Sequence, residues 1–444
     1  MKKLFAVVLM AIAVSLQGFS QDYLRLGERT IMGTARYVGM SGAMSAIGGD
    51  PSAVLDNPAG LGLYRRPEVM LSFDVMLDRT RQNATGLKGR SNLFMAPHAS
   101  FVFSFPTANT SGSGIQAHNI MFSYNRVQSY SRLFYASATN SPSLGNLFAS
   151  TGVDMKIPYC TERTNAANDI LLRESGYVNK YAIDWAMNIS NRWYWGIGLR
   201  IHSFSFGNDA EYYESFATTN ASNVRYSNLN RTSLLYHGGG VGLATGLIYR
   251  PLSWLRLGFA IETPSIGSLR INSSGRLDAQ TDSLRTCYAP DNVAPLGDFH
   301  MPLHISTSVA FQVNYYALIA FQYDYRKQPG ELQNHSLRAG FEVIPVSGLY
   351  INGGYAFEGA FSKKFSPVAV DPKLIRQDTY SQRLRWSQYA SVGLGYRGRY
   401  FMIHAAYQFR WQRVNLYAHE NVLEPYDINT NTHRIVVTIG WHRN

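Results

Sequence analysis

Phe401 to Trp411 reads FMIHAAYQFRW, and its alternation decides the fold. Phe401, Ile403, Ala405, Tyr407, Phe409 and Trp411 share one face, while Met402, His404, Ala406, Gln408 and Arg410 share the other. A period of two is that of an extended strand, here with one greasy and one mostly polar face. Residues 178–190 repeat the pattern: Tyr181, Ile183, Trp185, Met187 and Ile189 oppose Lys180, Ala182, Asp184, Ala186, Asn188 and Ser190. The same reading predicts strands over 67–78, 97–106, 115–125, 178–190, 193–207, 234–249, 253–264, 301–314, 315–326, 335–344, 347–357, 386–397, 398–413 and 432–441. That makes about fourteen, and many reach the roughly 9–11 residues that cross a membrane at a tilt.

The connections sort into two classes. Those near Asn191-Arg192, Arg250-Pro251-Leu252, Asn314, Pro345-Val346 and Gly398 are tight; 79–96, 126–177, 208–233, 265–300, 327–334, 358–385 and 414–431 are long. Short turns on one side and long loops on the other belong to an all-β transmembrane antiparallel barrel. The connection 106–114 is longer than its class predicts. A soluble sandwich would not carry so wide an apolar outer face.

Composition agrees. Of 444 residues 45% are hydrophobic, 13% aromatic and only 16% charged, with 29 tyrosines, a profile of strands and aromatic girdles. The net charge of +12 is spread along the chain. No basic run with interleaved aromatics marks a nucleic-acid groove, so no nucleic-acid partner is expected. Lys2-Lys3, the apolar run Leu4–Leu16 and the small residues around Gly18-Phe19-Ser20 read as a signal peptide over 1–20, cleaved after Ser20. Cys160 and Cys287 are the only cysteines. Both fall in predicted extracellular loops, where one disulfide or two thiols are each compatible with an oxidising compartment.

Between signal and barrel lies Gly33 to Glu68, with seven glycines at 33, 39, 42, 48, 49, 60 and 62. Asp50-Pro51 and Asn57-Pro58 each combine a capping side chain with proline at the first helical position. Short, kinked helices in a confined space follow from that composition. Enzyme motifs fail here. No Lys follows Gly48-Gly49 as a phosphate loop requires, and Gly39-Met40-Ser41-Gly42-Ala43 has Ala43 where a nucleophile elbow has its second glycine. There is no His-Glu-x-x-His, calcium loop or paired-cysteine motif, so neither enzyme activity nor a cofactor is expected.

The same residues carry a resemblance. Thr34-Ala35-Arg36-Tyr37, Met40-Ser41-Gly42-Ala43, Gly48-Gly49-Asp50 and above all Asn57-Pro58-Ala59-Gly60 resemble the N-terminal hatch of FadL-type outer-membrane transporters of hydrophobic compounds, in the version similar to that of the Bacteroidetes. The resemblance implies a hatch over 21–66 plugging a barrel over 67–444. It also implies passive uptake of fatty-acid-like ligands, with outer-membrane lipid, lipopolysaccharide and the barrel-assembly machinery as partners. Trp441 would serve as the terminal aromatic of the assembly signal from three positions inside the end.

Several finer expectations follow. In the resembled family the third strand kinks inward, and the broken alternation of 115–125 fits that or a generic bulge. Gly238, Gly240, Gly242, Ala244 and Gly246 share a face that either leaves room for the hatch or marks a bend. Loop 126–177 holds two predicted helical pieces, one with Leu144, Leu147 and Phe148 and one with Ile170 and Leu171. These greasy faces would catch an apolar ligand or close over a small core of the loop itself. His98, His202, His304 and His404 fall mostly on lumen parity and read as polar lumen residues; a pair of them could bind haem iron, which leaves a haem-binding uptake barrel of this fold as the alternative. A general diffusion porin would lack the plug. A turn centred on Arg192 places Asp184 directly opposite Arg200 on the polar face.

Overall fold

The computed structural model describes residues 29–107, 112–139, 167–217, 225–281, 285–288, 296–327, 333–359, 381–417 and 424–442. Signal, loop-tip and terminal expectations outside these ranges, including the helical piece at Leu144, Leu147 and Phe148, lie outside the described residues.

Short helices come first: α1 (Ala35–Gly39), α2 (Pro51–Asp56) and a 3-10 turn (Pro58–Leu63). Strands follow in chain order: β1 (Glu68–Gln82), β2 (Lys88–Pro106), β3 (Ile115–Thr139), β4 (Ala167–Ile189), β5 (Trp193–Ala217), β6 (Arg225–Leu252), β7 (Leu255–Glu262), β8 (Ile266–Thr281), β9 (Arg285–Tyr288), β10 (Leu296–His300), β11 (Leu303–Asn314), β12 (Ala317–Lys327), β13 (Gln333–Val343), β14 (Leu349–Gly359), β15 (Ser381–Arg397), β16 (Phe401–Tyr417) and β17 (Tyr426–His442).

These segments make a fourteen-stave antiparallel barrel. β7 and β8 are one stave, and β10 and β11 another. Each is interrupted at a proline, Pro264 and Pro302, which has no N–H for the ladder. The pairs Glu262↔His304 and Ile266↔His300 share one register, so the prolines stand opposite each other. Among the described residues β9 pairs only with β8. The seam closes from Glu68↔His442 to Gln82↔Ile428, which joins the first stave to the last. Outward residues such as Phe101, Leu243, Phe321, Ile403 and Ile439 are exposed, while the alternate positions of the same strands are buried in the lumen.

All the predicted staves are present, but many run further at the end that carries the long loops. The connection expected to be long at 79–96 is a tight hairpin, since β1 and β2 remain paired up to Arg81↔Lys88. The second predicted helical piece is strand: Ile170 and Leu171 lie in β4, bonded to β3 and β5 on either side, with Ile170 buried inward. Two flanking ladders satisfy the backbone there, so a helix has nothing to gain.

β3 departs from the wall. Its ladder with β2 stops at His98↔Asn125. Pro97 lies one residue beyond, β2 shifts register against β1 between Ser72 and Asp74, and β3 bulges between Arg126 and Gln128. The upper half of β3 then packs inside β1: Thr80 Oγ1 donates to the Leu133 carbonyl at 2.5 Å and Gln82 Nε2 to that of Ser137 at 2.7 Å.

The β4–β5 register corrects the sequence expectation. Ser190 and Asn191 both have φ of 55°, and the Arg192 N–H closes the turn on the Ile189 carbonyl at 3.1 Å. Two left-handed central residues are the hairpin geometry that suits strand twist. They centre the turn on Asn191 rather than Arg192, so Gly198 faces Asp184 and Ala182 faces Arg200. The two charges meet diagonally instead, across the space Gly198 leaves: Arg200 Nη1 is 2.7 Å from Asp184 Oδ1, with both side chains fully buried. The contact is close but poorly directed for a hydrogen bond, and Arg200 also donates to the Leu199 and Val54 carbonyls at 3.3 and 3.4 Å. Replacing Asp184 with Ala should strand a buried guanidinium and cost about 3–5 kcal/mol, whereas Asp184→Leu with Arg200→Leu costs much less. Urea-unfolding midpoints of the refolded barrel in lipid measure this. Equal losses in the two variants would refute the pairing.

Candidate functional site: a plugged lumen with an apolar chamber wall

The hatch is built by its caps. Asp50 accepts from the N–H groups of Ser52 at 2.9 Å and Ala53 at 3.4 Å, starting α2. Thr34, the cap of α1, donates its hydroxyl to Asp50 at 2.8 Å, so the two helix starts hold each other. Asn57 accepts from Ala59 N–H at 3.1 Å, and its Nδ2 donates to the carbonyls of Ser45 at 3.1 Å and Leu247 at 3.4 Å. Asn57, Pro58, Ala59 and Gly60 are all buried.

The wall makes room at two cross-strand glycine pairs. Gly196 faces Gly246 across β5 and β6. A Cβ on Gly246 would lie 2.0 Å from Asn57 Oδ1, and one on Gly196 would lie 2.5 Å from the Pro58 carbonyl. Gly340 faces Gly354 across β13 and β14, and a Cβ on either would collide with the Met40 backbone. So the Asn-Pro-Ala-Gly turn and the Met-Ser-Gly-Ala turn each sit against a recess in the wall. Of the glycine face read from the sequence, Gly246 makes room for the hatch.

Polar side chains of the wall bind the hatch around its circumference. Glu342 takes Arg36 in two bonds of 2.7 Å. Arg256 donates to the Ile47 carbonyl at 2.8 Å, Asn119 to Leu61 at 2.7 Å, and Arg434 to Ile31 at 2.6 Å. Arg434 is itself held by Asp74. Asp56 is gripped from three sides: Arg29 at 2.6 Å, Tyr37 hydroxyl at 2.6 Å and Arg338 at 3.3 Å. Burial alone would push the Asp56 carboxyl up; Arg29 and Arg338 outweigh it and hold the group below its ordinary value. Sequence reasoning passed over Asp56, Arg338, Glu262 and Arg434. Inward parity of a charged residue within a strand was the available signal for the last three.

The network continues upward. Arg338 reaches Asp324 at 3.1 Å, which accepts from His304 at 3.0 Å. Lys180 pairs with Glu262 at 2.6 Å, and His202 bonds Ser265 at 2.9 Å. His98 bonds Asn125 at 2.5 Å and Ser100 at 3.0 Å. All four lumen-parity histidines, His404 included, are buried. No group of three metal-binding side chains is assembled among the described residues.

On the long-loop side of Lys180 and His202 the lumen changes character. Val127, Tyr130, Val178, Phe204, Phe206, Leu234, Tyr236, Leu269 and Met301 form one buried apolar cluster. The Tyr130 and Phe206 rings are 4.3 Å apart, and Phe206 stacks on Tyr236 at 5.9 Å. The cluster begins where β3 leaves β2 and ends at the break between β10 and β11. Ile170 lies higher on β4 and outside this cluster. Cys287 lies in β9, and its pairing with Cys160 falls outside the described residues.

The fold is FadL-like. A Pseudomonas aeruginosa FadL homologue superposes with a TM-score of 0.59 at 11% identity, over 94% of this chain and 99% of that one. A deletion mutant of TodX, a monoaromatic hydrocarbon channel, gives 0.56 at 13% identity over 92% and 98%. The Ralstonia pickettii toluene transporter TbuX gives 0.51 at 13% over 93% and 98%. No protein-family model and no curated protein sequence matches the chain.

Two predictions concern the plug. Gly246→Leu overfills the Asn57 recess, an overpacking of about 1–3 kcal/mol, and should displace the hatch and raise single-channel conductance in planar bilayers. Deleting residues 21–60 is the limiting case; a deletion that stays closed would show that the hatch does not plug the pore. Because the Asp56 value is depressed, its contribution to hatch docking is full at neutral pH and is lost as pH falls below about 4. Conductance should rise on acidification, and Asp56→Asn should show that leak already at pH 7.

Proposed function

We infer that this chain is an outer-membrane channel for passive uptake of hydrophobic compounds, long-chain fatty acids and similar molecules among them. The observation that carries this reading is the apolar cluster of Phe204, Phe206, Tyr236 and their neighbours, built almost wholly from wall residues and buried beyond the ion pair of Lys180 and Glu262. Polar lumens solvate water and ions; an apolar wall there gives a binding surface to a molecule that water rejects. An open diffusion porin is disfavoured by the hatch, whose described residues fill the lumen with buried contacts. The likeness to channels for monoaromatic hydrocarbons supports the substrate class.

The route follows the same features. A ligand caught at the extracellular loops meets the Tyr130–Phe206–Tyr236 rings. It then leaves sideways where the β2–β3 ladder ends at His98↔Asn125, or downward past a shifted hatch. Asn57, Pro58, Ala59 and Gly60 act as the seat of the plug, not as ligand contacts. The pair Asp184–Arg200 acts as an inner brace, with Arg200 touching the hatch at Val54.

Purified protein should carry extractable apolar ligand, identified by mass spectrometry. Phe206→Ala with Tyr236→Ala should reduce its amount several-fold and slow uptake of a fluorescent fatty acid into proteoliposomes, with ion conductance unchanged. Ligand content equal to the unmodified protein would overturn this site.

A further inference from the structure

The periplasmic end has an unusual charge pattern. Arg65, Arg66, Arg192 and Arg399 are exposed there, and Arg250 is half-buried. Among the described residues of this end the carboxylates are Asp50, Glu68 and Glu342, all buried: Asp50 caps α2, and the other two are taken up by Arg397 and Arg36. The extracellular end differs: Arg231 and Glu211 pair at 3.5 Å, and Arg79, Arg81, Lys88 and Arg90 share the rim with Asp209 and Asp427. One end is mixed in sign and the other presents cations alone.

Three of the arginines are gathered at two neighbouring turns. Arg65 Nη2 bonds the Asn191 side chain in the β4–β5 turn. Arg192 follows Asn191 directly, and the Arg250 N–H donates to the Arg192 carbonyl at 2.7 Å. Arg250 Nη2 reaches the Ser253 carbonyl at 3.0 Å, while its Nε makes no hydrogen bond among the described residues. Around them stands an outward aromatic belt. Trp193 stacks on Tyr249 at 4.0 Å, and Trp254 stacks on Phe311 at 6.3 Å. Trp193 is 42% exposed and Trp254 48%, facing where a bilayer's interfacial layer lies.

We propose that Arg65, Arg192 and Arg250, with the Trp193–Tyr249 and Trp254–Phe311 stacks, form a binding site for the phosphate headgroup of an anionic phospholipid in the periplasmic leaflet. The guanidinium groups offer the forked donors a phosphate accepts. The indole rings cover the glycerol and upper acyl region, as aromatic belts do at the headgroup level. The rings point outward into lipid, not down into the periplasm, which selects a lipid rather than a soluble acidic protein as occupant. The site is independent of what the lumen carries.

The test is native mass spectrometry of the full-length barrel released from nanodiscs of phosphatidylglycerol mixed with phosphatidylcholine. The unmodified protein should retain phosphatidylglycerol in preference, and soluble glycerophosphoglycerol should compete poorly because it lacks chains for the rings. Arg65→Gln with Arg192→Gln and Arg250→Gln should lower that retention roughly 10-fold or more, since each basic group near an anionic surface contributes measurably. Trp193→Ala should weaken retention of the lipid while leaving the affinity for the soluble headgroup unchanged. Heat-modifiable gel migration checks that each barrel is folded, and a single Arg192→Gln variant serves if the triple does not assemble. Equal retention of both lipids by the unmodified protein, or undiminished phosphatidylglycerol on a folded arginine variant, would overturn the proposal. So would equal competition by the soluble headgroup or retention of an acidic protein in place of lipid.

Discussion

Hydrocarbon offers no hydrogen-bond partners, and this structure follows from that. An open sheet would leave two whole strand edges unpaired, so the ladder closes between β1 and β17. Closure encloses a lumen, and whatever fills it must have its own backbone groups satisfied. The short helices of the hatch leave many carbonyls unpaired at their ends. The wall answers with inward side chains: Arg256 to Ile47, Arg434 to Ile31, Arg338 to Gly42 and Asn119 to Leu61. The polar faces read along each strand are therefore as much a lining for the plug as a surface for water.

The buried ion pairs have a different part. Taking a pair such as Arg36–Glu342 out of water repays little in stability, because desolvation offsets the attraction. A misplaced partner is costly, however. Bidentate Arg36–Glu342, the triple grip on Asp56 and Arg434 between Asp74 and Ile31 each accept one hatch position and reject its neighbours. They specify a docked orientation more than they hold it.

The staves were legible because a membrane puts unlike media on the two faces, and 401–411 records that difference residue by residue. Above the bilayer both faces meet polar surroundings, alternation fades, and 126–139, 167–177 and 208–217 do not read as strand. The caps at Asp50 and Asn57 were legible because they are local chemistry. The β4–β5 register was not, since it turns on Ser190 and Asn191 both adopting a left-handed backbone. The grip on Asp56 was not legible either: Arg29 and Arg338 come from distant parts of the chain, and nothing local joins them. The apolar lumen cluster escaped notice for a related reason, because its members sit at single inward positions on several strands.

The glycine recesses carry a consequence for how the molecule is made. Asn57 and Met40 are pressed against backbone at Gly246 and Gly354 with no slack to slide past side chains. Entry through a finished mouth would have to carry Asn57 and Met40 past the inward side chains of the wall. Lodging the N-terminal segment against β5, β6, β13 and β14 before the last strand zips onto the first avoids that passage. On that route the wall is wrapped around its stopper, and the β1–β17 seam is the final stitch.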